Sequence, residues 1–264
     1  MKNPIRCNRG IQFLTGAAAL IAAVNCSYAD TTIAYDVATN STYSGSFSGL
    51  NGGFGFGTWS TSTSGGGSYI GLDGGITYFG LWNNGYGTGT GSFATRTFNS
   101  PLSEGQTFST SFKTGHLNSS FEREGFSLQD SLGNILFSYW QQGGNNANGN
   151  YLDANGEGTA TGFAYDFNSL DQFEFVLDSA TTYTFTDLAT SAVLTGTISG
   201  TINQVEFFRQ NLDGDPNTGG GGGTDFRFHD LSITAAPEPS IFALAGLGGL
   251  GMLLSARRRR LTGE

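Results

Sequence analysis

After position 29 the chain contains no cysteine. Its two cysteines, Cys7 and Cys26, fall in the first 29 residues, so the remainder can form neither a disulfide nor a cysteine metal site. Basic charge is nearly as scarce. Five of the twelve Lys and Arg, but nineteen of the 21 Asp and Glu, lie within 30–236, which gives that segment a formal charge of −14 and a single lysine, Lys113. Such a surface repels phosphate backbones and anionic lipid headgroups. Nucleic acid is therefore not expected as a partner, and neutral glycans, cations or a basic surface remain. Helical periodicity is missing outside the two ends. No long-period repeat and no interior linker divides the 207 residues of 30–236, a length sufficient for one sizeable domain.

The ends carry what the middle lacks. Lys2, Arg6 and Arg9 precede an apolar run over 11–24, and Ser27-Tyr28-Ala29 offers a small-x-small cleavage site. This is the pattern of a signal helix removed by signal peptidase, so 1–29 reads as a signal peptide and the mature chain begins at Asp30. Cys26 leaves a lipoprotein alternative open, although Asn25 stands where a small residue is wanted. At the other end Pro237-Glu238-Pro239 is followed by an apolar run over 241–256 and then by Arg257, Arg258, Arg259 and Arg260. Sixteen residues span about 24 Å as a helix, against a hydrocarbon core of about 30 Å. Gly246, Gly248, Gly249 and Gly251 weaken that helix further. The arginines cannot cross, so they stay cytoplasmic and everything before Pro237 is left outside.

This tripartite ending over 237–264 resembles the PEP-CTERM sorting signal of Gram-negative bacteria. The resemblance implies a transient inner-membrane transmembrane helix, processing by an exosortase (a membrane cysteine protease), and delivery to the cell surface or exopolysaccharide. An ordinary C-terminal membrane anchor is the alternative.

Within 30–236 glycine makes up 35 residues, yet aromatics recur at alternating positions, unlike a disordered chain. Phe108-Thr110-Phe112, Phe126-Leu128, Ile135-Phe137-Tyr139, Phe173-Phe175-Leu177, Tyr183-Phe185, Val205-Phe207 and Phe226-Phe228 all follow period two, the signature of half-buried strands. Segments 130–134 and 178–182 read as hairpin turns. Segments 62–68, 141–150 and 213–224, rich in Gly, Asn or Ser, read as surface loops. The expectation is all-β: roughly twelve to fourteen short strands in two packed antiparallel sheets.

A second resemblance follows from the ordered series Gly52-Gly53-Phe54-Gly55-Phe56-Gly57-Thr58-Trp59, Phe79-Gly80-Leu81-Trp82, Ala94-Thr95-Arg96-Thr97-Phe98, Leu102-Ser103-Glu104-Gly105-Gln106-Thr107-Phe108 and Gly125-Phe126-Ser127-Leu128. It is similar to exported bacterial jelly rolls of the concanavalin A-like lectin and glucanase group. That implies a two-sheet jelly-roll sandwich and no single activity.

Several residues are candidates for chemistry. Glu122 and Glu124 share a strand face about 7 Å apart, within the span of about 5 to 9 Å that glycosidase carboxylates use. The jelly-roll glucanases usually carry Glu-x-Asp-x-x-Glu; here the run is Glu122-Arg123-Glu124-Gly125-Phe126-Ser127, so the third acid is missing. Asp213, Asp215 and Asn217 place oxygens at alternate positions, as a calcium loop needs, although Thr218 and Thr224 stand where an EF-hand has Gly and Glu. Trp59, Trp82 and Trp140 are candidates for stacking on sugar rings, with core packing as the other reading. No cofactor is expected other than calcium at the 213–217 loop. The chain is thus read as an exported, non-catalytic structural or glycan-binding protein associated with the cell surface or exopolysaccharide, with a secreted polysaccharide hydrolase as the alternative.

Overall fold

The period-two runs form strands, and their apolar phase closes a core between two sheets. The computed structural model describes residues 30–83, 89–117, 119–144, 148–164, 166, 169–211 and 225–236, and Thr31–Ala235 is one unit. The signal helix, the C-terminal helix, the sorting residues 237–264 and the acidic segment 213–224 lie outside the described residues.

Fifteen strands, slightly more than the alternation suggested, and no helix occur among the described residues. They are β1 (Thr31–Val37), β2 (Phe56–Ser64), β3 (Gly66–Asp73), β4 (Ile76–Asn83), β5 (Thr90–Phe98), β6 (Gln106–Lys113), β7 (Glu122–Gln129), β8 (Ile135–Gln142), β9 (Asn148–Asp153), β10 (Gly156–Ala164), β11 (Asp171–Leu177), β12 (Thr182–Asp187), β13 (Ala192–Thr197), β14 (Gln204–Asn211) and β15 (Phe226–Ala235). An eight-stranded sheet runs β13-β12-β11-β6-β15-β4-β3, with β1 pairing the far half of β15. A seven-stranded sheet runs β10-β9-β8-β7-β14-β5-β2. Each neighbouring pair is antiparallel. This is the two-sheet sandwich that the alternation implied.

Aromatic rings fill the space between the sheets. Phe207 of β14 stacks on Phe228 of β15 at 4.1 Å and 3°, and Phe112 stacks on Phe173 at 4.5 Å. Phe126, Phe137 and Phe175 are fully buried. Each such ring contributes about 1.5–3 kcal/mol by leaving water, and favourable ring pairs add about 0.5–1.5 kcal/mol. Turns 130–134 and 178–182 are hairpins. In the first, Asp130 Oδ1 accepts the N–H groups of Leu132 (2.8 Å) and Asn134 (2.9 Å), and Gly133 takes φ +86°. This geometry is why an Asp and a Gly punctuate two apolar runs.

The Gly-rich segment 62–68 is not the surface loop expected from its composition. Only Gly65, at φ +78°, leaves the extended region, and it carries the chain from β2 in one sheet to β3 in the other. Gly66 and Gly67 are strand residues. A Cβ on Gly66 would lie 2.1 Å from the Trp82 carbonyl, and one on Gly67 would lie 2.7 Å from the Trp82 indole. Glycine is there because a ring lies against the backbone. Segment 141–150 also narrows, since β8 runs to Gln142 and β9 begins at Asn148.

Candidate functional site

The strand phase that buries Phe126 and Leu128 also buries Glu122 and Glu124. Both are 0% exposed, aligned across β14 with Asn211 and Arg209. Arg209 Nη2 donates to Glu122 Oε1 at 3.0 Å, and Arg209 Nε lies 3.0 Å from Glu124 Oε1, a charge contact without hydrogen-bond geometry. The Gly115 N–H donates to Glu124 Oε2 at 2.6 Å. Burial raises the Glu124 carboxyl to about 7, with the Arg209 charge and the Gly115 N–H acting against it. The candidate pair is thus an interior ion cluster around Arg209. Arg123, between them in sequence, points to the opposite face.

The three tryptophans separate. Trp59 belongs to the core, where its Nε1–H donates to Asp36 Oδ2 at 3.2 Å. That carboxylate also accepts from Tyr43 (2.6 Å) and ion-pairs with the fully buried Arg96. Core burial leaves no face of Trp59 for a sugar. Trp82 is half-buried on the outer side of the eight-stranded sheet, against Gly67. Trp140 lies on the outer side of the seven-stranded sheet. Asp213, Asp215 and Asn217 fall outside the described residues. Among the described residues no group of three His, Cys, Asp or Glu is placed to hold a metal.

Around Trp140 the outer face forms a groove of about 210 Å³. β7, β8 and β14 supply its centre because their register sets Gly125 between Trp140 and Phe208. A Cβ on Gly125 would lie 2.1 Å from the Tyr139 carbonyl and 2.9 Å from the Trp140 Cβ. The Arg123 guanidinium covers both rings, 5.6 Å from the Trp140 centroid and 5.7 Å from that of Phe208. Its Nε–H donates to Gln210 Oε1 at 2.6 Å. A planar cation stacked on two rings is held with its edge free to hydrogen-bond.

Apart from Ile135 and Leu152, the rest of the lining is polar. Glu206 accepts from Thr95 Oγ1 (3.2 Å) and Gln129 Nε2 (3.1 Å), and burial lifts its carboxyl above the ordinary range against those two bonds. Ser127 Oγ donates to Ser138 Oγ at 2.9 Å, and Glu157 lines the far side. Of these residues only Trp140 stood out in the sequence. Phe208 was hidden because Phe207 beside it carries the core phase; a doublet of aromatics in a strand signals that both faces are covered. Arg123, one residue out of phase with Glu122 and Glu124, falls on this outer face by the same alternation.

Comparison with known proteins adds two findings. Residues 235–260 match the PEP-CTERM protein-sorting motif. The chain therefore carries that motif, which implies export, a transient membrane anchor and processing by an exosortase. No curated protein sequence matches. Among solved structures the chain is similar to a sialidase (TM-score 0.50, 10% identity), covering 70% of this chain and 17% of that one. It is similar also to a carbohydrate esterase of the Shiga toxin-encoding bacteriophage phi24B (TM-score 0.50, 14% identity), covering 79% of this chain and all of that one. The chain thus spans less than a fifth of the sialidase. At these identities the likeness concerns the sandwich fold alone.

Proposed function

We propose that this protein is an exported, non-catalytic glycan-binding module held at the cell surface or in exopolysaccharide, and that the Arg123–Trp140–Phe208 groove is its binding face. The observation that carries the reading is the stacked guanidinium: Arg123 lies on two aromatic rings inside a groove whose polar groups are the hydroxyls of Ser127 and Ser138, the Gln210 amide and two carboxylates, with Ile135 and Leu152 as further apolar surface. Sugar recognition needs that mixture, apolar surface for C–H faces and fixed polar groups for hydroxyls. One arginine against Glu157 and Glu206 gives the groove no cationic excess, which suits a neutral glycan.

The test is a glycan array of the full-length chain in detergent micelles, followed by Arg123→Ala and Trp140→Ala. Binding to neutral glycans that both variants lose by about tenfold or more is expected, the worth of one charge-assisted contact. Binding that both variants retain contradicts the groove.

One observation favours a second reading, a polysaccharide hydrolase. Glu157 and Glu206 line one groove, and Glu206 is the acid whose burial favours its protonated form, as a general acid requires. New reducing ends from β-glucans that disappear in Glu206→Gln would establish it.

A further inference from the structure

The five Lys and Arg of 30–236 are unevenly placed. Arg96 and Arg209 are held inside by Asp36 and by Glu122 and Glu124, and Arg123 belongs to the groove. The other two, Lys113 and Arg227, stand directly opposite each other on β6 and β15. They lie on the outer face of the eight-stranded sheet, away from the groove, beside a cavity of about 230 Å³ that Ile76, Tyr78 and His229 also line. Like charges facing each other across a ladder repel. On a segment of charge −14 this is the one place where two solvent-reaching cations are held together.

What lies between them is a single carboxylate oxygen. Asp73 Oδ2 is 3.1 Å from Lys113 Nζ and 2.5 Å from Arg227 Nη1. Hydrogen bonding from Lys113, then the Arg227 charge, hold the Asp73 carboxyl below its ordinary range. Yet Asp73 stays open to solvent. Its side chain is 41% exposed, and it opens the turn between β3 and β4, where Gly74 and Gly75 take φ +58° and +86° with open space on both sides. Exposed ion pairs of this kind contribute little. Arg227 is held from a second side, 5.1 Å over the Tyr78 ring, and its buried Nε–H has no acceptor among the described residues.

We propose that this pocket binds the carboxylate of a uronic acid unit within an otherwise neutral oligosaccharide, Asp73 being the internal anion that it displaces. The cavity holds a single ring, with the exposed Ile76 as an apolar wall and His229 as a further polar group. The surrounding charge of −14 disfavours continuous polyanions and selects an isolated acidic unit.

Calorimetry on the full-length chain in detergent micelles tests this with three probes, each titrated also into Trp140→Ala so that groove binding is removed: a tetrasaccharide bearing one glucuronate, its carboxyl-reduced counterpart, and a Glu-containing tripeptide. Only the glucuronate probe should bind here, and more weakly as salt rises. Lys113→Gln should weaken it about tenfold, the worth of one charge-assisted contact, with the thermal midpoint kept. Asp73→Asn should strengthen it several-fold by removing the competitor. Absence of binding, equal binding of the reduced sugar or of the peptide, or indifference to Lys113→Gln overturns the proposal, as does weaker binding in Asp73→Asn. The site lies on the opposite sheet from the groove, so loss of glucuronate binding in Lys113→Gln with neutral-glycan binding intact separates the two.

Discussion

Arg209 is 1% exposed and lies between two carboxylates that are not exposed at all. Its Nη1 finds no hydrogen-bond partner among the described residues. A buried charge whose partner is removed costs about 3–5 kcal/mol, so Arg209→Met, which strands two acids, should lower the denaturation free energy by that order. Chemical denaturation checks this. Glu124 predicts a pH dependence. Its folded pKa of about 7 lies above the unfolded value of about 4.3, so between the two the folded state binds more protons than the unfolded one. Stability contributed by that proton is present at low pH and is lost as pH rises through about 7. Asp171, raised to about 6 chiefly by burial, acts with the same sign. Thermal melts should therefore show a decline between pH 5 and 7 for the native chain that Glu124→Gln flattens, leaving the part due to Asp171 and Glu206.

At the scale of strands, one glycine sets the geometry of the groove. Gly125 lets β7 and β8 approach, with Trp140 and Phe208 on either side of it in the register. Because an added Cβ would meet backbone at 2.1 Å, Gly125→Ala should cost about 1–3 kcal/mol by overpacking and displace the Trp140 ring, readable in its fluorescence. The same strands show what could be read in advance. Hairpins 130–134 and 178–182 were legible because their turn chemistry is local. The fate of Glu122 and Glu124 was legible too, by carrying the phase of Phe126 and Leu128 two and four residues back. It was obscured by the expectation that acids face water, which fails when an in-phase arginine, Arg209 beside Phe207 and Val205, arrives from another strand. The crossing at Gly65 was not legible: a Gly triplet reads as a loop unless one knows that Trp82 lies against it.

At the scale of the molecule, stability rests on rings rather than on cross-links. Phe126 meets Phe108, Phe112, Phe137, Tyr139, Phe185 and Phe207, so it joins both sheets. Phe126→Ala should cost about 3–5 kcal/mol, with an unchanged denaturation midpoint as the contrary result. Charge is organised at this scale as well. Two arginines neutralise interior acids, one is stacked in the groove, and two cations share the opposite face. The sorting motif over 235–260 implies that the chain bearing these faces is exported.

The groove can be tested through its own indole. The chain has three tryptophans in three settings: Trp59 in the core, Trp82 against Gly67, and Trp140 beneath Arg123 with its Nε1–H donating to Gln142 Oε1 at 3.4 Å. Titrating the ¹⁵N-labelled full-length chain in micelles with neutral β-glucan and agar oligosaccharides should move the Trp140 indole resonance and leave that of Trp59 in place. Indole resonances that stay fixed across the whole panel, or that move at Trp82 and not at Trp140, would contradict the assignment of this groove as the binding face.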